Sequence, residues 1–318
     1  FARQIDVRQY ITAFGVVLSV ISTGSCMGWV TPTLKTFQKD LDHSQTSWLI
    51  SIIEIGNLFS IVPAGFLFDH WGRKTFILFT GPVYLIGWAI LYFSTDVFLL
   101  YTARFVQGVA MGVVFTAAPV YLGEIAAPKI RGAITTLFQV GLYFGFLVEY
   151  CLGPLLSYHG LIAITSVFPL LSFLYLLFLP ESPYYLVIIE EDLKAAESLA
   201  WLRGADRDHV EDELKEIVKS VREEMKSRVS WTDIFTSPTD RRALWITQVI
   251  GSIKILSGLV VILSYGTVLF HEFRLSGIVS PELLTIIMGL CLFTSGFFSS
   301  TLTDRLGRRP LLLTSTVA

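Results

Sequence analysis

The chain has 318 residues, of which 53% are hydrophobic and only 16% are charged, and its mean hydropathy is +0.62. Soluble domains carry about a quarter charged residues, so this composition excludes an ordinary water-soluble fold and indicates a chain whose solvent is lipid. The formal net charge of −2 shows neither the basic excess expected for a nucleic-acid partner nor an acidic tail.

Long apolar runs follow one another along the chain. A helix needs about 20 mostly apolar residues to cross a bilayer, so each run predicts a membrane span. The predicted spans lie near residues 9–30, 48–68, 76–94, 98–123, 133–153, 160–179, 243–270 and 282–303, and a ninth begins at Pro310 and is cut off. Because the chain starts at Phe1 instead of a methionine and has no cleavable signal pattern, we expect a fragment at both ends.

A polar segment at residues 180–242 separates the sixth span from the seventh. Helical periodicity predicts short surface helices at 189–203 and 206–228 within it. The second of these has an apolar stripe of Val210, Leu214, Ile217, Val221 and Met225. The chain therefore divides into three parts, a six-helix bundle at 1–179, the linker at 180–242 and the start of a second bundle at 243–318.

The positive charges of the short loops predict the orientation, because cytoplasmic loops carry an excess of Lys and Arg. One side has seven such residues, which are Arg73, Lys74, Lys129, Arg131, Arg305, Arg308 and Arg309. The other side has three, which are Lys35, Lys39 and Arg274. The first side is expected to be cytoplasmic, together with the N-terminus and the linker.

One short pattern occurs twice, after the second and the eighth predicted spans. It reads GFLFDHWGRK at residues 65–74 and DRLGRR at residues 304–309. Like motifs in corresponding loops predict duplicated halves, which is a common plan of transporters. Loops that only anchor the membrane orientation would not need the shared Asp-x-x-Gly-Arg-basic spacing.

Over essentially its whole length the chain resembles the sugar porters of the major facilitator superfamily. Residues 104–132, RFVQGVAMGVVFTAAPVYLGEIAAPKIRG, resemble the family's fourth-span signature with its Pro-x-Tyr-x-x-Glu and following Arg-Gly. Residues 180–183, PESP, resemble the motif after the sixth span, although Tyr184 stands where the family usually has Arg. The Thr-Pro at 31–32 and the Ser-Trp at 47–48 are most similar to insect facilitated trehalose transporters.

The resemblance implies an all-α membrane protein of two six-helix bundles, here truncated in the second half, which rock about a central site. It also implies a charged cytoplasmic latch of Asp69, Arg73, Glu124, Arg131, Glu181, Asp304 and Arg308. Each exposed pair is worth about 0–1 kcal/mol, so the set would have to act together. Structural anchoring without gating is the alternative. Because Tyr184 supplies no guanidinium, we expect Glu181 to be less well paired.

Three ionisable residues, Glu54, Arg104 and Glu149, are expected in the outer third of the membrane. Such groups are costly in lipid and are functional by default. We expect Glu54 or Glu149 to neutralise Arg104; the alternative is that these carboxylates reach the interface. The resemblance places the acid of proton-coupled relatives near Val30, which favours facilitated diffusion here unless Glu54 replaces that acid.

The candidate substrate-binding residues are Gln139, Gln248, Lys254 and Ser257. Sugar hydroxyls require side chains that both donate and accept hydrogen bonds, chiefly amides set among aromatic rings. The resemblance implies that Gln139 in the fifth span contacts sugar; an interhelical hydrogen bond is the alternative.

The seventh span departs from the family. Residues 254–260 read KILSGLV where the family has Gln-Gln-Leu-Ser-Gly-x-Asn, so a lysine and two aliphatic residues replace three amides. An unpaired ammonium near the bilayer midplane costs about 2.5–3.5 kcal/mol or more. Lys254 should therefore meet Glu149 or an acidic substrate, or else the site no longer carries hexoses.

The leading functional prediction is a facilitator for trehalose or a hexose in the plasma membrane, working by alternating access. A non-transporting sugar sensor of the same fold and a facilitator of an organic anion are the alternatives. No enzyme activity, cofactor or metal site is expected, because phosphate-binding glycine loops and metal-spaced His and Cys residues are absent from the sequence. The expected partners are a small-molecule substrate and the lipid bilayer, without nucleic acid.

Overall fold

The computed structural model describes residues 2–37, 41–226, 237–272, 280–306, 310 and 313–314, and all regular secondary structure in them is helical. The first half consists of α1 (Ala2–Gly28), α2 (Val30–Phe37), α3 (His43–Trp71), α4 (Arg73–Phe93), α5 (Val97–Ile125), α6 (Arg131–Leu152), α7 (Tyr158–Thr165) and α8 (Val167–Leu176). The linker forms α9 (Pro183–Ile188), α10 (Asp192–Arg203) and α11 (Arg207–Lys226). The last helices are α12 (Pro238–Leu256), α13 (Leu259–Glu272) and α14 (Pro281–Leu306).

Among the described residues, seven helical segments are long and apolar enough to cross a membrane. Six belong to the first half, where α1 and α2 together form the first span and α7 and α8 together form the sixth. The remaining one lies within α14, at Pro281–Phe298. The predictions of the first six spans and of the eighth are thereby confirmed, whereas most of the predicted ninth lies outside the described residues.

The seventh span is not the single helix that we expected at 243–270. It divides into α12 and α13 at Ser257 and Gly258, and Gly258 has a φ of 78°, in the left-handed region that glycine adopts without strain. The prediction of a continuous helix was wrong because apolar composition shows where a chain enters lipid but does not show whether its helix is broken. A break of this kind leaves free backbone groups in the membrane, which transporters use at their binding sites.

Close helix pairs build the first half. A Cβ atom added at Gly24 of α1 would lie 2.1 Å from the carbonyl oxygen of Leu142 on α6. A Cβ at Gly108 of α5 would lie 2.0 Å from the carbonyl oxygen of Ile53 on α3. These backbones approach as closely as they do because the interface residues have no side chain, which is how helices gain packing energy in lipid.

The linker forms a small helical unit beneath the first half. Its apolar cluster includes Leu199 of α10 and Val210, Ile217 and Val221 of α11, which are all buried. The prediction of two linker helices is confirmed, although Met225 at the end of the stripe is exposed. The face of the bundle that bears this unit is called the linker side below, and the other face is called the opposite side.

Candidate functional site

Arg73 is the centre of a charged cluster on the linker side. Its side chain is only 5% exposed, and its Nε lies 3.2 Å from Glu124 Oε2 while its Nη2 lies 3.6 Å from Asp69 Oδ1. Its guanidinium carbon is 4.3 Å from the centre of the Phe68 ring, close enough for a cation–π interaction. The repeated motif thus joins α3, α4 and α5 at one buried guanidinium.

Glu181 binds the start of α4. Its carboxylate oxygens accept hydrogen bonds from the backbone N–H groups of Lys74 at 2.8 Å and Thr75 at 3.3 Å, and also from that of Ser182 at 2.9 Å. The carboxylate therefore caps a helix N-terminus from another segment, where a negative charge is favourable. In the described residues no guanidinium pairs with Glu181, and backbone N–H groups satisfy its carboxylate instead.

The rest of the predicted latch does not join this cluster in the described residues. Arg131 is exposed at the start of α6 and forms no ion pair with Glu124 or Glu181 in the described structure. The Asp304 side chain and Arg308 lie outside the part that the structure describes. Ser182 of the PESP motif, which was not predicted as a site residue, donates a hydrogen bond from its hydroxyl group to Glu124 and one from its backbone N–H to Glu181, and so links these two carboxylates.

The linker is attached to span ends by hydroxyl groups. Tyr121 of α5 donates to the Pro180 carbonyl oxygen at 2.6 Å, and Tyr185 of α9 donates to the His70 carbonyl oxygen at 2.8 Å. Burial, with the neighbouring Glu181 carboxylate, raises the pKa of Tyr185, so its hydroxyl stays a hydrogen-bond donor. These contacts hold α9 against the ends of the second and fourth spans.

Arg203 is a further attachment that sequence reasoning missed. Its Nε and Nη2 donate to the Glu213 carboxylate at 2.7–3.1 Å, and its Nη1 donates to the Ile125 carbonyl oxygen at 3.0 Å. Ile125 is the last residue of α5, where free carbonyl groups favour a positive charge. In the sequence Arg203 is marked only by the Gly204 that follows it, and this pattern is typical of the end of any helix.

Arg104 is buried in the fourth span and is only 1% exposed. Its Nη1 donates to the Cys26 carbonyl oxygen at 2.7 Å and to Gln107 Oε1 at 3.1 Å, and its guanidinium lies 5.4 Å from the centre of the Trp29 ring. The expected ion pair with Glu54 or Glu149 is not formed. A helix carbonyl, an amide and an aromatic face contact the guanidinium directly, whereas the two carboxylates act on its charge only from a longer distance.

The two carboxylates have different surroundings. Glu54 is exposed and accepts a hydrogen bond from Asn57 Nδ2 at 3.0 Å. Glu149 is fully buried, with Oε1 placed 2.7 Å from Thr165 Oγ1 and Oε2 without a hydrogen-bond partner. Only Glu149 is therefore cut off from solvent in this conformation.

A cavity of about 310 Å³ lies between the first half and α13. Its lining consists of Met27, Val30, Ile50, Ser51, Ile53, Glu54, Arg104, Val260, Val261, Ser264 and Tyr265. It brings together Arg104 and Glu54, which were predicted at a similar depth in the membrane, and Val30, where the resemblance places the acid of proton-coupled relatives. Apolar walls with a few polar groups are typical of sites for small molecules.

Gln139, Gln248 and Ser257 are not among the residues that line this cavity. Gln139 is half-buried on α6 and hydrogen-bonds Tyr143 one turn along the same helix, instead of a neighbouring helix. Gln248 is exposed on α12, and Ser257 is at the break between α12 and α13. The Lys254 side chain lies outside the part of the chain that the structure describes. Of the predicted ligands whose side chains are described, Gln139, Gln248 and Ser257 are not brought together.

Two hydroxyl groups that sequence reasoning missed connect the halves on the opposite side. Thr31 Oγ1 lies 2.5 Å from the Leu263 carbonyl oxygen, and Tyr150 donates to the same oxygen at 2.8 Å. Leu263 belongs to α13, directly after the break, while Thr31 and Tyr150 belong to the first and fifth spans. We call these two contacts the Leu263 clamp. Single polar residues near span ends give no sequence signal of their distant partners.

A family model described as "Sugar (and other) transporter" matches residues 9–318. The facilitated trehalose transporter Tret1 of Polypedilum vanderplanki is 29% identical over 318 residues, which cover 98% of this chain and 62% of the relative. The human solute carrier family 2, facilitated glucose transporter member 6, is 31% identical over 314 residues, which cover 97% of this chain and 61% of the relative. The chain thus spans about three fifths of the length of these curated relatives.

Solved structures of XylE share the fold. The partially occluded inward open conformation of the xylose transporter XylE from E. coli has a TM-score of 0.76 at 18% identity, over 95% of this chain and 75% of that chain. The proton:xylose symporter XylE bound to 6-bromo-6-deoxy-D-glucose has a TM-score of 0.79 at 18% identity, over 98% and 72%. At this identity the likeness concerns the fold alone.

Proposed function

This chain belongs to the sugar porter family of the major facilitator superfamily and is a multi-pass membrane protein, and on that premise we propose that the protein it represents moves a sugar by facilitated diffusion. Trehalose or a hexose is the proposed substrate class, in line with the printed names of the trehalose and glucose transporter relatives. The proposed arrangement is a first bundle at 1–179, a linker at 180–242 and the start of a second bundle at 243–318. The plasma membrane is the proposed location, with the N-terminus and the linker in the cytoplasm.

The Leu263 clamp is the observation that carries the proposal. The clamp joins the two halves on the opposite side, which is the outer side when the linker is cytoplasmic. The cavity lies beside the clamp. Only α13, the outer part of the broken seventh span, makes these contacts. Since the break at Gly258 separates α13 from α12, the outer part is able to move without the inner part, as alternating access requires.

The Arg73 cluster is the proposed latch on the cytoplasmic side. Nη1 of Arg73 is buried and has no hydrogen-bond partner among the described residues, so the guanidinium is able to bind a further acceptor. We assign Asp69, Glu124 and Glu181 to the same latch, with Arg131, Asp304 and Arg308 joining it in another conformation. Such pairs bias a conformational equilibrium when water replaces them in one state.

Gln139 is the proposed sugar ligand, with Gln248, Lys254 and Ser257 from the seventh span. The Gln139 amide offers both donors and an acceptor, and its present bond to Tyr143 is one that a sugar hydroxyl is able to replace. Rocking of the bundles would have to bring these residues together around the substrate. Val30 supports facilitated diffusion, because an aliphatic side chain lines the cavity next to Arg104 and carries no proton.

The test is uptake of labelled trehalose and glucose by cells that express the full-length gene, with and without a proton uncoupler. We expect saturable uptake that the uncoupler does not change. Gln139→Leu should raise the half-saturating sugar concentration about threefold to tenfold, the equivalent of one hydrogen bond. Thr136→Val, which removes a hydroxyl group that donates to the Gly132 carbonyl oxygen of its own helix, is the matched control and should leave the half-saturating concentration unchanged. Absence of uptake for both sugars despite surface expression would overturn the proposal.

A facilitator of an organic anion is the second candidate, because Arg104 lines the cavity and has no carboxylate partner. Uptake of a labelled organic anion, with both sugars excluded, would establish this function. Binding of sugar without uptake of any of these solutes would instead identify a sensor.

A further inference from the structure

Glu149 is a buried carboxyl group that the proposed transport mechanism does not use. It lies near the outer end of α6 with no exposed surface, and Oε2 has no hydrogen-bond partner. The first span covers it, since a Cβ atom added at Gly28 would lie 3.3 Å from the Cβ of Glu149. An ionised carboxylate in such a place is strongly unfavourable unless a cation or several donors meet it.

No such partner meets the carboxyl group in the described structure. Of the titratable or charged groups in the described residues, Cys26 on α1 and Arg104 on α5 are close enough to act on it electrostatically. Arg104 uses its Nη1 for the Cys26 carbonyl oxygen and forms no ion pair with Glu149. Tyr158 donates its hydroxyl proton to the Leu91 carbonyl oxygen at 3.0 Å.

The hydrogen bonds of Thr165 indicate which form of the carboxyl group is present. Its Oγ1 lies 2.7 Å from Glu149 Oε1 and 2.8 Å from the carbonyl oxygen of Leu161. A hydroxyl group has one proton to donate but accepts through its lone pairs. Both short contacts are hydrogen bonds if Glu149 carries a proton and donates it to Thr165, while Thr165 donates to Leu161. If Glu149 were ionised, Thr165 would have to share its one proton between Glu149 Oε1 and the Leu161 carbonyl oxygen, so the two short contacts together favour the protonated form.

We propose that Glu149 is a proton-binding site, and that the bound proton stabilises the conformation in which the outer side is closed. The next residue, Tyr150, is part of the Leu263 clamp, so α6 carries the carboxyl group and the clamp on adjacent positions. Ionisation would require water or a cation at Glu149, and α1 and α6 would have to separate to admit it. This separation would also pull Tyr150 away from Leu263.

The proton therefore has a defined effect on the conformational equilibrium. The closed state binds the proton more tightly than the open state, so a low pH favours closure and a rising pH favours opening. Within the interval between the two proton affinities, the ratio of open to closed molecules should rise up to tenfold per pH unit, the limit for one linked proton. The inference rests on the alternating access proposed above, but it does not depend on the substrate.

The test measures the outer opening of the full-length protein by the distance between two spin labels. Leu155 after α6 and Leu283 on α14 are exposed and belong to different halves, so each is replaced by a labelled cysteine after the native cysteines are removed. The distance distribution is recorded from about pH 5 to about pH 9, which brackets the range in which a buried carboxyl group is expected to titrate. The wild-type background should change from short to long distances as the pH rises.

Glu149→Gln should keep the short distance at every pH, and Glu149→Asp should restore the response. Glu223→Gln, which changes an exposed carboxylate of the linker, is the matched control and should behave like the wild-type background. If Glu149→Gln follows the wild-type response, or if the wild-type background has no response, the proposal is overturned.

Thr165→Val provides an independent reading of the hydrogen-bond direction. If Thr165 accepts the proton of Glu149, loss of the Thr165 hydroxyl group weakens the protonated form. The midpoint of the pH-dependent change in distance then moves to a lower pH. A midpoint at a higher pH or an unchanged one would overturn the assignment. Sugar added to the same samples tests the proposed function separately. A response to pH without one to sugar contradicts only the proposed function, and the reverse contradicts only the proton site.

Discussion

The attachment of the linker to the fourth span depends on Arg203, and its strength follows from the contacts. The side chain of Arg203 is 8% exposed, and that of Glu213 is 33% exposed. Hydrogen bonds that involve a charged group contribute about 1.5–3 kcal/mol, and breaking a fully buried pair costs about 3–5 kcal/mol. Because Glu213 is able to rehydrate after the loss of its partner, we expect Arg203→Ala to lower the free energy of unfolding by about 2–3 kcal/mol.

A double-mutant cycle separates the pair from the rest of the effect. Glu213→Gln alone, Arg203→Ala alone and both together should give a coupling energy of about 1–2 kcal/mol, measured by denaturation of the full-length protein in detergent. Arg203→Lys should recover only part of the stability, since an ammonium lacks the planar geometry that meets Glu213 and Ile125 together.

The exposed pair of Arg207 and Glu197 in the same linker is the matched control. Both side chains are more than half exposed, so Arg207→Ala should cost less than about 1 kcal/mol. A coupling energy for Arg203 and Glu213 that does not exceed that of the control pair would refute the reasoning, because burial and bidentate geometry would then have added nothing.

Two further predictions concern helix ends and helix contacts. Glu181→Gln should destabilise the full-length protein by about 1 kcal/mol in the same denaturation assay, because α4 loses a charged cap, whereas the exposed Glu223→Gln should be neutral; equal effects would exclude capping. Gly108→Ala should cost more than about 2 kcal/mol, because its Cβ atom would overlap the backbone of α3. Gly123→Ala on the same helix meets open space and should leave stability unchanged, so a loss of similar size in both variants would contradict the close-packing explanation.

Several parts of the candidate site were accessible from the sequence because each has a local signature. The repeated motif located Asp69 and Arg73, and the resemblance added Glu124 and Glu181, which the structure places in one cluster. The groups that the predicted site residues contact could not be predicted from the sequence in the same way. Arg104 was expected to meet a carboxylate, yet its Nη1 donates to a backbone carbonyl and an amide, and neither group is distinguished in a sequence by charge.

The sequence by itself determined the family, the all-helical class, seven of the spans and the two linker helices, because the transfer of apolar residues into lipid and helical periodicity act over one segment at a time. Only the tertiary structure decided the Leu263 clamp, the cap that Glu181 provides for α4 and the burial of Glu149 beside Thr165. These features depend on distances of a few ångströms between residues far apart in the chain. Such distances are set by how the helices pack, and the hydropathy of the sequence does not predict them.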